Sequence, residues 1–173
     1  MSGFKLPSTV SRTVAVLGGG VLGRHIACAW AAGGFNFNIR DPSADQRAAA
    51  LHYCSASMSL YSDHAQRGCV QAFDDLNKAV EKAWLVIEAV PEHLDLKIKT
   101  FEQLATSAPS DAIFCSNSSS YKSREMVQTL DLWVRRRILN MHYYMPPDNR
   151  IVELMTDGDT DASIFPFLAE KLK

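Results

Sequence analysis

The stretch that decides the fold is Thr13–Ala32, TVAVLGGGVLGRHIACAWAA. Thr13 to Leu17 is apolar and β-favouring, Val21 to Ala32 has helix-forming composition, and three glycines join them. Strand, tight turn and helix are expected in that order. Gly18, Gly20 and Gly23 spell G-x-G-x-x-G: the first allows the turn, the second lets the backbone approach a pyrophosphate, and the third lets the helix pack closely. A phosphate would then sit at the positive end of the helix, against the backbone of Gly18, Gly20, Val21, Leu22 and Gly23. Glycine-rich turns recur by chance, so the flanking elements and a following acid carry the reading. That acid is Asp41, just after a second β-like run, Phe35 to Ile39, and eighteen residues beyond Gly23. The spacing is close to the roughly 20 residues expected of a carboxylate that bonds adenosine ribose hydroxyls. Asp-Pro also starts helices, but Ser43 with Gln46 has capping-box spacing and leaves the Asp41 carboxylate available. A carboxylate here repels a ribose 2′-phosphate, so the expected cofactor is NAD rather than NADP.

Outward from this unit the alternation continues. A helical run from Ser43 extends towards Gln66 before Gly68, then come a strand (Cys69 to Ala72), a helix near Asp74 to Lys82, and the buried-strand run Trp84 to Val90. Leu94, Lys97, Ile98, Phe101, Leu104 and Ala105 keep helical spacing. Ala112 to Cys115 and Arg137 to Met141 read as strands, Pro146 to Asn149 as a turn, and Ile151 to Met155 as a last strand. Repeated βα units with near-continuous apolar strands predict an α/β fold, a doubly wound, mostly parallel sheet of the Rossmann type. The organisation expected is a tail over residues 1–12 and one dinucleotide-binding domain over 13–173.

Composition agrees with one globular unit. The 173 residues are 47% apolar, with 18 basic and 19 acidic side chains and a net charge of −1. That balance gives no electrostatic reason for a nucleic-acid partner. No apolar run approaches the roughly 20 residues that cross a bilayer, so no membrane partner is expected. The four cysteines, Cys28, Cys54, Cys69 and Cys115, lack C-x-x-C spacing and read as buried free thiols in a reducing, cytoplasmic setting. His25, His52, His64 and His93 show no metal-ligand spacing and read as surface or helix-face residues; no metal site is expected.

Polar residues gather where strands finish: Glu88 and Glu92, then Asn117, then His142. In an open parallel sheet, ligands bind at the carboxyl ends of the strands, so these groups should converge with the glycine loop. Plainer roles exist: Asn117 and Ser116 to Ser120 as caps of a following helix, Glu92 and Lys97 as solvated residues at a helix start, His142 as a structural histidine. The pairing of the last two strands shifts that balance. If Pro146 to Asn149 is a four-residue hairpin loop, Met145 faces Arg150 and His142 stands opposite Glu153. A carboxylate on one ring nitrogen fixes the tautomer, and the other nitrogen can take a proton from an alcohol.

Four ordered motifs, VAVLGGGVLGRHIA, LVIEAVPEHLDLKIKTFEQL, SNSSS and NMHYYMPPDNRIVEL, make the chain resemble the NAD-binding domain of the L-3-hydroxyacyl-CoA dehydrogenase family from Val14 to Glu153. The resemblance implies cofactor contacts at Asp41, Ala89, Val90, Glu92, Lys97 and Asn117, a substrate-facing hydroxyl at Ser119, and His142 with Glu153 as the catalytic pair. It also implies that the helical run after Asp41 is similar to the family's excursion near the acyl-CoA site. Two departures stand out: the family's His-Phe-Phe-Asn-Pro is His142-Tyr143-Tyr144-Met145-Pro146, and the spacing from His to Glu is one residue shorter. The family continues into a helical C-terminal domain that closes over the substrate and usually makes the dimer; these 173 residues are expected to hold only the first domain. Loss of that cover is expected to leave an apolar patch suited to self-association as a homo-oligomer. The resulting expectation is NAD-dependent oxidation of a 3-hydroxy group to a ketone, with a small-molecule 3-hydroxyacyl-CoA or 3-hydroxyacid as partner. Its alternatives are a non-catalytic NAD-binding module and a related dehydrogenase of a 3-hydroxyacid such as a sugar acid.

Overall fold

A computed structural model describes residues 4–62 and 66–173. His64, and part of the run towards Gln66, lie outside the described residues. The elements are β1 (Thr13–Leu17), α1 (Val21–Ala32), β2 (Phe37–Arg40), α2 (Ala44–Ser57), a 3-10 turn (Met58–Leu60), β3 (Val70–Phe73), α3 (Leu76–Val80), β4 (Ala83–Glu88), α4 (Leu94–Ser107), β5 (Ile113–Ser116), α5 (Ser123–Met126), α6 (Leu132–Arg135), β6 (Ile138–Tyr143), β7 (Val152–Met155) and α7 (Ile164–Lys171). They form one seven-stranded sheet in the order β3-β2-β1-β4-β5-β6-β7. Every neighbouring pair is parallel except β6 with β7. Strand order reverses between β1 and β4, the crossover point at which an open sheet makes its ligand crevice. This is the doubly wound Rossmann architecture that the βα alternation predicts.

Alternate strand residues feed two cores. Val14 and Val16, Phe37 and Ile39, Leu85 and Ile87, Leu139 and Met141 pack with α1, α2 and α7. Ala15 and Leu17, Val86, Phe114 and Ile138 pack with α3, α4 and α5. Residues before β1 are drawn in: Phe4 and Leu6 lie against the first core, and Arg12 binds Asp111 at 2.7 Å.

Several boundaries differ from expectation, each for a hydrogen-bonding reason. β2 starts at Phe37, not Phe35, because the Phe35 amide still donates to Trp30 at the end of α1. β4 stops at Glu88, not Val90, because the Val90 amide turns back to the Glu88 carboxylate. The helix after Ser43 closes at Ser57 and tightens into the 3-10 turn. The helix expected after Ser116 to Ser120 is the single turn α5, whereas α6, and α7 with Pro166 in its first turn, have no counterpart in the sequence pattern. Cys28, Cys54 and Cys115 are buried and free as expected, but Cys69 is exposed. No helix among the described residues is long and apolar enough to cross a membrane.

Trp84, fully buried at the start of β4, joins the sheet to both flanking helices. Trp30 of α1, Phe35 and Phe167 of α7 surround it at centroid separations of 5.9, 5.9 and 5.7 Å. Trp84→Ala is expected to cost about 3–5 kcal/mol of unfolding free energy. Urea denaturation followed by circular dichroism measures it; a loss below about 1 kcal/mol would show that this aromatic cluster does not hold α7.

Candidate functional site

The turn after β1 is tight because glycine permits it. Gly18 has φ of +111°, and a side chain there would run into the carbonyl of Ala89 after β4. A Cβ at Gly23 would collide with the Gly18 carbonyl oxygen, so the start of α1 rests on the turn itself. Gly20 is different: a Cβ there would meet nothing within 4 Å. Its side faces open space at the helix N-terminus, where no side chain caps α1 and no acid lies in the first turn. Val21 is exposed and Leu22 half-buried at this entrance. Uncapped helix amides beside a bare glycine fit a pyrophosphate.

Asp41 follows β2. Its Oδ2 accepts the Gly19 amide at 2.7 Å and its Oδ1 accepts the Ser43 amide at 2.8 Å. Ser43 caps α2 through Gln46, as the spacing predicts. The carboxylate is therefore engaged rather than idle: it braces the glycine turn, and its remaining lone pairs are what a ribose diol would meet.

After β4 the side chains form a charged network. Glu88 is wholly buried, and its Oε1 accepts the Lys97 ammonium of α4 at 2.7 Å while Oε2 accepts the Ser116 hydroxyl at 2.6 Å. Lys97, 1% exposed, also lies 3.1 Å from Glu92 and donates to the Val90 carbonyl. Glu92 reaches solvent, accepting the Ser118 hydroxyl and, at 3.3 Å, the Ser120 amide. Partial burial raises its pKa, but the Ser118 hydroxyl and the Lys97 ammonium outweigh burial and hold the carboxyl below its usual value of 4.5. The residue presented to the crevice is thus Glu92, with Lys97 enclosed behind it. The backbones of Ala89 and Val90 form the crevice floor, half-buried beside Gly18.

The next loop is braced through backbone donors. Asn117 Oδ1 accepts the Tyr143 amide at 2.9 Å, tying the ends of β5 and β6. Asn140 holds the far side through the Ser123 amide and the Tyr121 carbonyl. Ser119 is exposed at the tip. Ser116 and Ser118 do turn work, accepting the amides of Ser118 and Tyr121. The cap role expected of this segment is not what Ser116, Asn117 and Ser118 do: the next helix starts at Ser123 with Lys122 at its N-cap, and the two serines brace the turn before it while donating to Glu88 and Glu92.

β6 and β7 pair in the expected register, with His142 opposite Glu153. His142 Nδ1 lies 3.0 Å from Glu153 Oε2, so the carboxylate accepts an Nδ1 proton and leaves Nε2 as the outward nitrogen. Tyr144 lies beside the imidazole at a centroid distance of 5.3 Å. Because β7 runs antiparallel, its first residues return to the edge where β1, β2, β4, β5 and β6 end. One edge therefore gathers Gly18 to Gly23, Asp41, Ala89 to Glu92, Asn117 to Ser119, and the His142–Glu153 pair.

Two features escape the sequence reading. Glu88 is visible as an acid inside a strand, but its partnership with Lys97 depends on where α4 crosses. His25, read as a surface or helix-face residue, is half-buried, with Nδ1 2.5 Å from the Pro146 carbonyl oxygen and close to the hydroxyls of Tyr53 and Tyr61. Nothing in the spacing of residues 25, 53, 61 and 146 announces that contact. Among the described residues no group of three or more His, Cys, Asp or Glu is arranged to hold a metal.

The arrangement defines a dinucleotide-binding α/β domain. Residues 13–173 match the family model of the 3-hydroxyacyl-CoA dehydrogenase NAD-binding domain, and the chain belongs to that family. It is 27% identical to a probable 3-hydroxyacyl-CoA dehydrogenase of Caenorhabditis elegans over 172 residues, covering 91% of this chain and 57% of the relative. It is 31% identical to lambda-crystallin of Oryctolagus cuniculus over 169 residues, covering 90% of this chain and 51% of the relative. A solved diketoreductase, described by its dual catalysis of dicarbonyl compounds, superposes with a TM-score of 0.81 at 31% identity, over 93% of this chain and 60% of that one. The chain spans about half the length of these curated relatives. Its cofactor is the NAD of the family domain.

Two substitutions separate the glycine roles. Gly23→Ala is expected to destabilise the fold by about 1–3 kcal/mol, whereas Gly20→Ala should leave the melting temperature unchanged and weaken NAD binding in calorimetry. Equal affinity in Gly20→Ala would remove that glycine from the pyrophosphate path. For Glu92, the depressed pKa means stability present above about pH 4.5 that is lost as acid titrates the folded carboxyl. Glu92→Gln should therefore flatten the decline of stability below that pH; parallel denaturation profiles for the two proteins would contradict the network.

Proposed function

We propose that this chain is the cofactor-binding half of an NAD-dependent oxidoreductase that interconverts a 3-hydroxy group and a ketone. The observation that carries the reading is the His142 Nδ1–Glu153 Oε2 contact of 3.0 Å at the same sheet edge as the glycine loop. Bound NAD supplies the hydride acceptor. His142 takes the substrate hydroxyl proton at Nε2, and Glu153 keeps the proton on Nδ1 and stabilises the cation that results. Ser119 and Asn117 are assigned to the substrate oxygen and the nicotinamide side of the crevice. Gly18, Gly20, Val21, Leu22 and Gly23 are assigned to pyrophosphate, Asp41 to ribose, and Ala89, Val90 and Glu92 to the cofactor face, with Lys97 acting through Glu92.

The family match favours a 3-hydroxyacyl-CoA substrate. A second reading, a 3-hydroxyacid or dicarbonyl substrate without CoA, is favoured by Met145 in place of the family's asparagine and by the likeness to the diketoreductase. NADH consumption with acetoacetyl-CoA and with a 3-keto acid, in wild type and His142→Ala, tests both. His142→Ala is expected to lower kcat by about 10²–10⁴-fold with NAD affinity retained. Identical traces for the two proteins would take His142 out of the chemistry. NAD binding without turnover on either substrate would make the chain a binding module instead.

A further inference from the structure

Loop 144–151 joins the two halves of the His142–Glu153 pair, and its anchor is on the opposite face of the sheet from them. His142 alternates with Met141 and Tyr143, which point into the core beneath α1, α2 and α7. The Pro146 carbonyl is caught on that α1 side. His25 Nδ1 lies 2.5 Å from it and Tyr61 Oη 3.2 Å from it. Tyr61 Oη is also 2.8 Å from His25 Nδ1 and 2.7 Å from Tyr53 Oη, and Tyr53 Oη is 3.0 Å from His25 Nδ1.

The protons can be assigned. A carbonyl oxygen cannot donate, so at 2.5 Å His25 Nδ1 carries the hydrogen and donates it to Pro146. Tyr61 donates its hydroxyl proton to the second lone pair of the same carbonyl, and Tyr53 donates to Tyr61 Oη. Both lone pairs of one turn carbonyl are thereby taken by donors from α1 and from the residue after the 3-10 turn. α2 backs them through Tyr53, whose ring lies 4.4 Å from the His25 ring.

Resting on the proposed oxidoreductase reading, we infer that His25 is a positioning residue, which with Tyr61 and Tyr53 pins the β6–β7 loop to the cofactor helix and so sets the distance of the His142–Glu153 pair from bound NAD. His25 sits two residues after Gly23 on α1. The helix that fixes the pyrophosphate and the loop that spaces the imidazole from its carboxylate are therefore joined by one short hydrogen bond. Small misplacement of a reacting group is costly, so this contact acts on turnover rather than on NAD affinity.

The test compares wild type with His25→Leu, His25→Asn and Tyr61→Phe, the last removing only a hydroxyl should the leucine variant fail to fold. Asparagine places an N–H donor near the position of Nδ1. His25→Leu and Tyr61→Phe are expected to lower kcat by about 10–100-fold with little change in NAD dissociation constant, while His25→Asn recovers most of the loss. Proton NMR of the His142 Nδ1 hydrogen, far downfield while bonded to Glu153, should broaden or vanish in His25→Leu and return in His25→Asn. An unchanged His142 signal and unchanged kcat in His25→Leu would overturn the clamp, as would an asparagine variant as impaired as the leucine one. Absence of turnover in wild type would refute the oxidoreductase reading, and the NMR comparison would then decide the clamp alone.

Discussion

The contact on which the rest depends is between two glycines. α1 begins so close to the β1 turn that a single methyl at Gly23 would strike the Gly18 carbonyl, and a side chain at Gly18 would strike Ala89. That closeness brings the helix N-terminus to the carboxyl edge of the sheet, with its first amides uncapped. The bond from the Gly19 amide to Asp41 then ties the turn to the end of β2. Because strand order reverses at β1 and β4, the same edge opens into a crevice rather than a closed surface. Uncapped amides and the Asp41 carboxylate are thus brought to one edge by backbone packing, where the proposed pyrophosphate and ribose contacts would fall, before any reactive side chain is considered.

The crevice floor is costly to build. An ammonium and a carboxylate, both essentially without solvent contact, lie at the end of β4. Such a pair gains little over an apolar substitute, because desolvation offsets the Coulomb attraction, and it survives only when its remaining polar atoms are satisfied. Here Ser116, the Val90 amide, the Val90 carbonyl and Glu92 supply those partners. The consequence is geometric: β4, α4 and the loop after β5 are held to one another, and Glu92 is fixed at the mouth with its negative charge maintained.

Legibility followed the range of the forces involved. The glycine loop, the capping of α2 and the hairpin register were readable because each is set by neighbours within a few residues. The His142–Glu153 contact belongs to this group, since a four-residue turn determines which residues stand opposite across two strands. What was not readable came from tertiary packing. Glu88 meets Lys97, and His25 meets Pro146, only because helices cross strands at particular places. The single turns α5, which buries Ser123 and Met126, and α6, which buries none of its residues, are each four residues long and too short to show a helical period. The ends of β2 and β4 moved by two residues because amides of Phe35 and Val90 found partners outside the ladder.

The most direct measurement is a crystal structure of the chain soaked with oxidised NAD. The account predicts diphosphate oxygens on the amides at the start of α1, adenosine ribose hydroxyls on Asp41, and the nicotinamide C4 facing the outer nitrogen of His142 while Glu153 stays on the inner one. A dinucleotide bound elsewhere, or an imidazole turned away from the nicotinamide with its carboxylate contact broken, would contradict it.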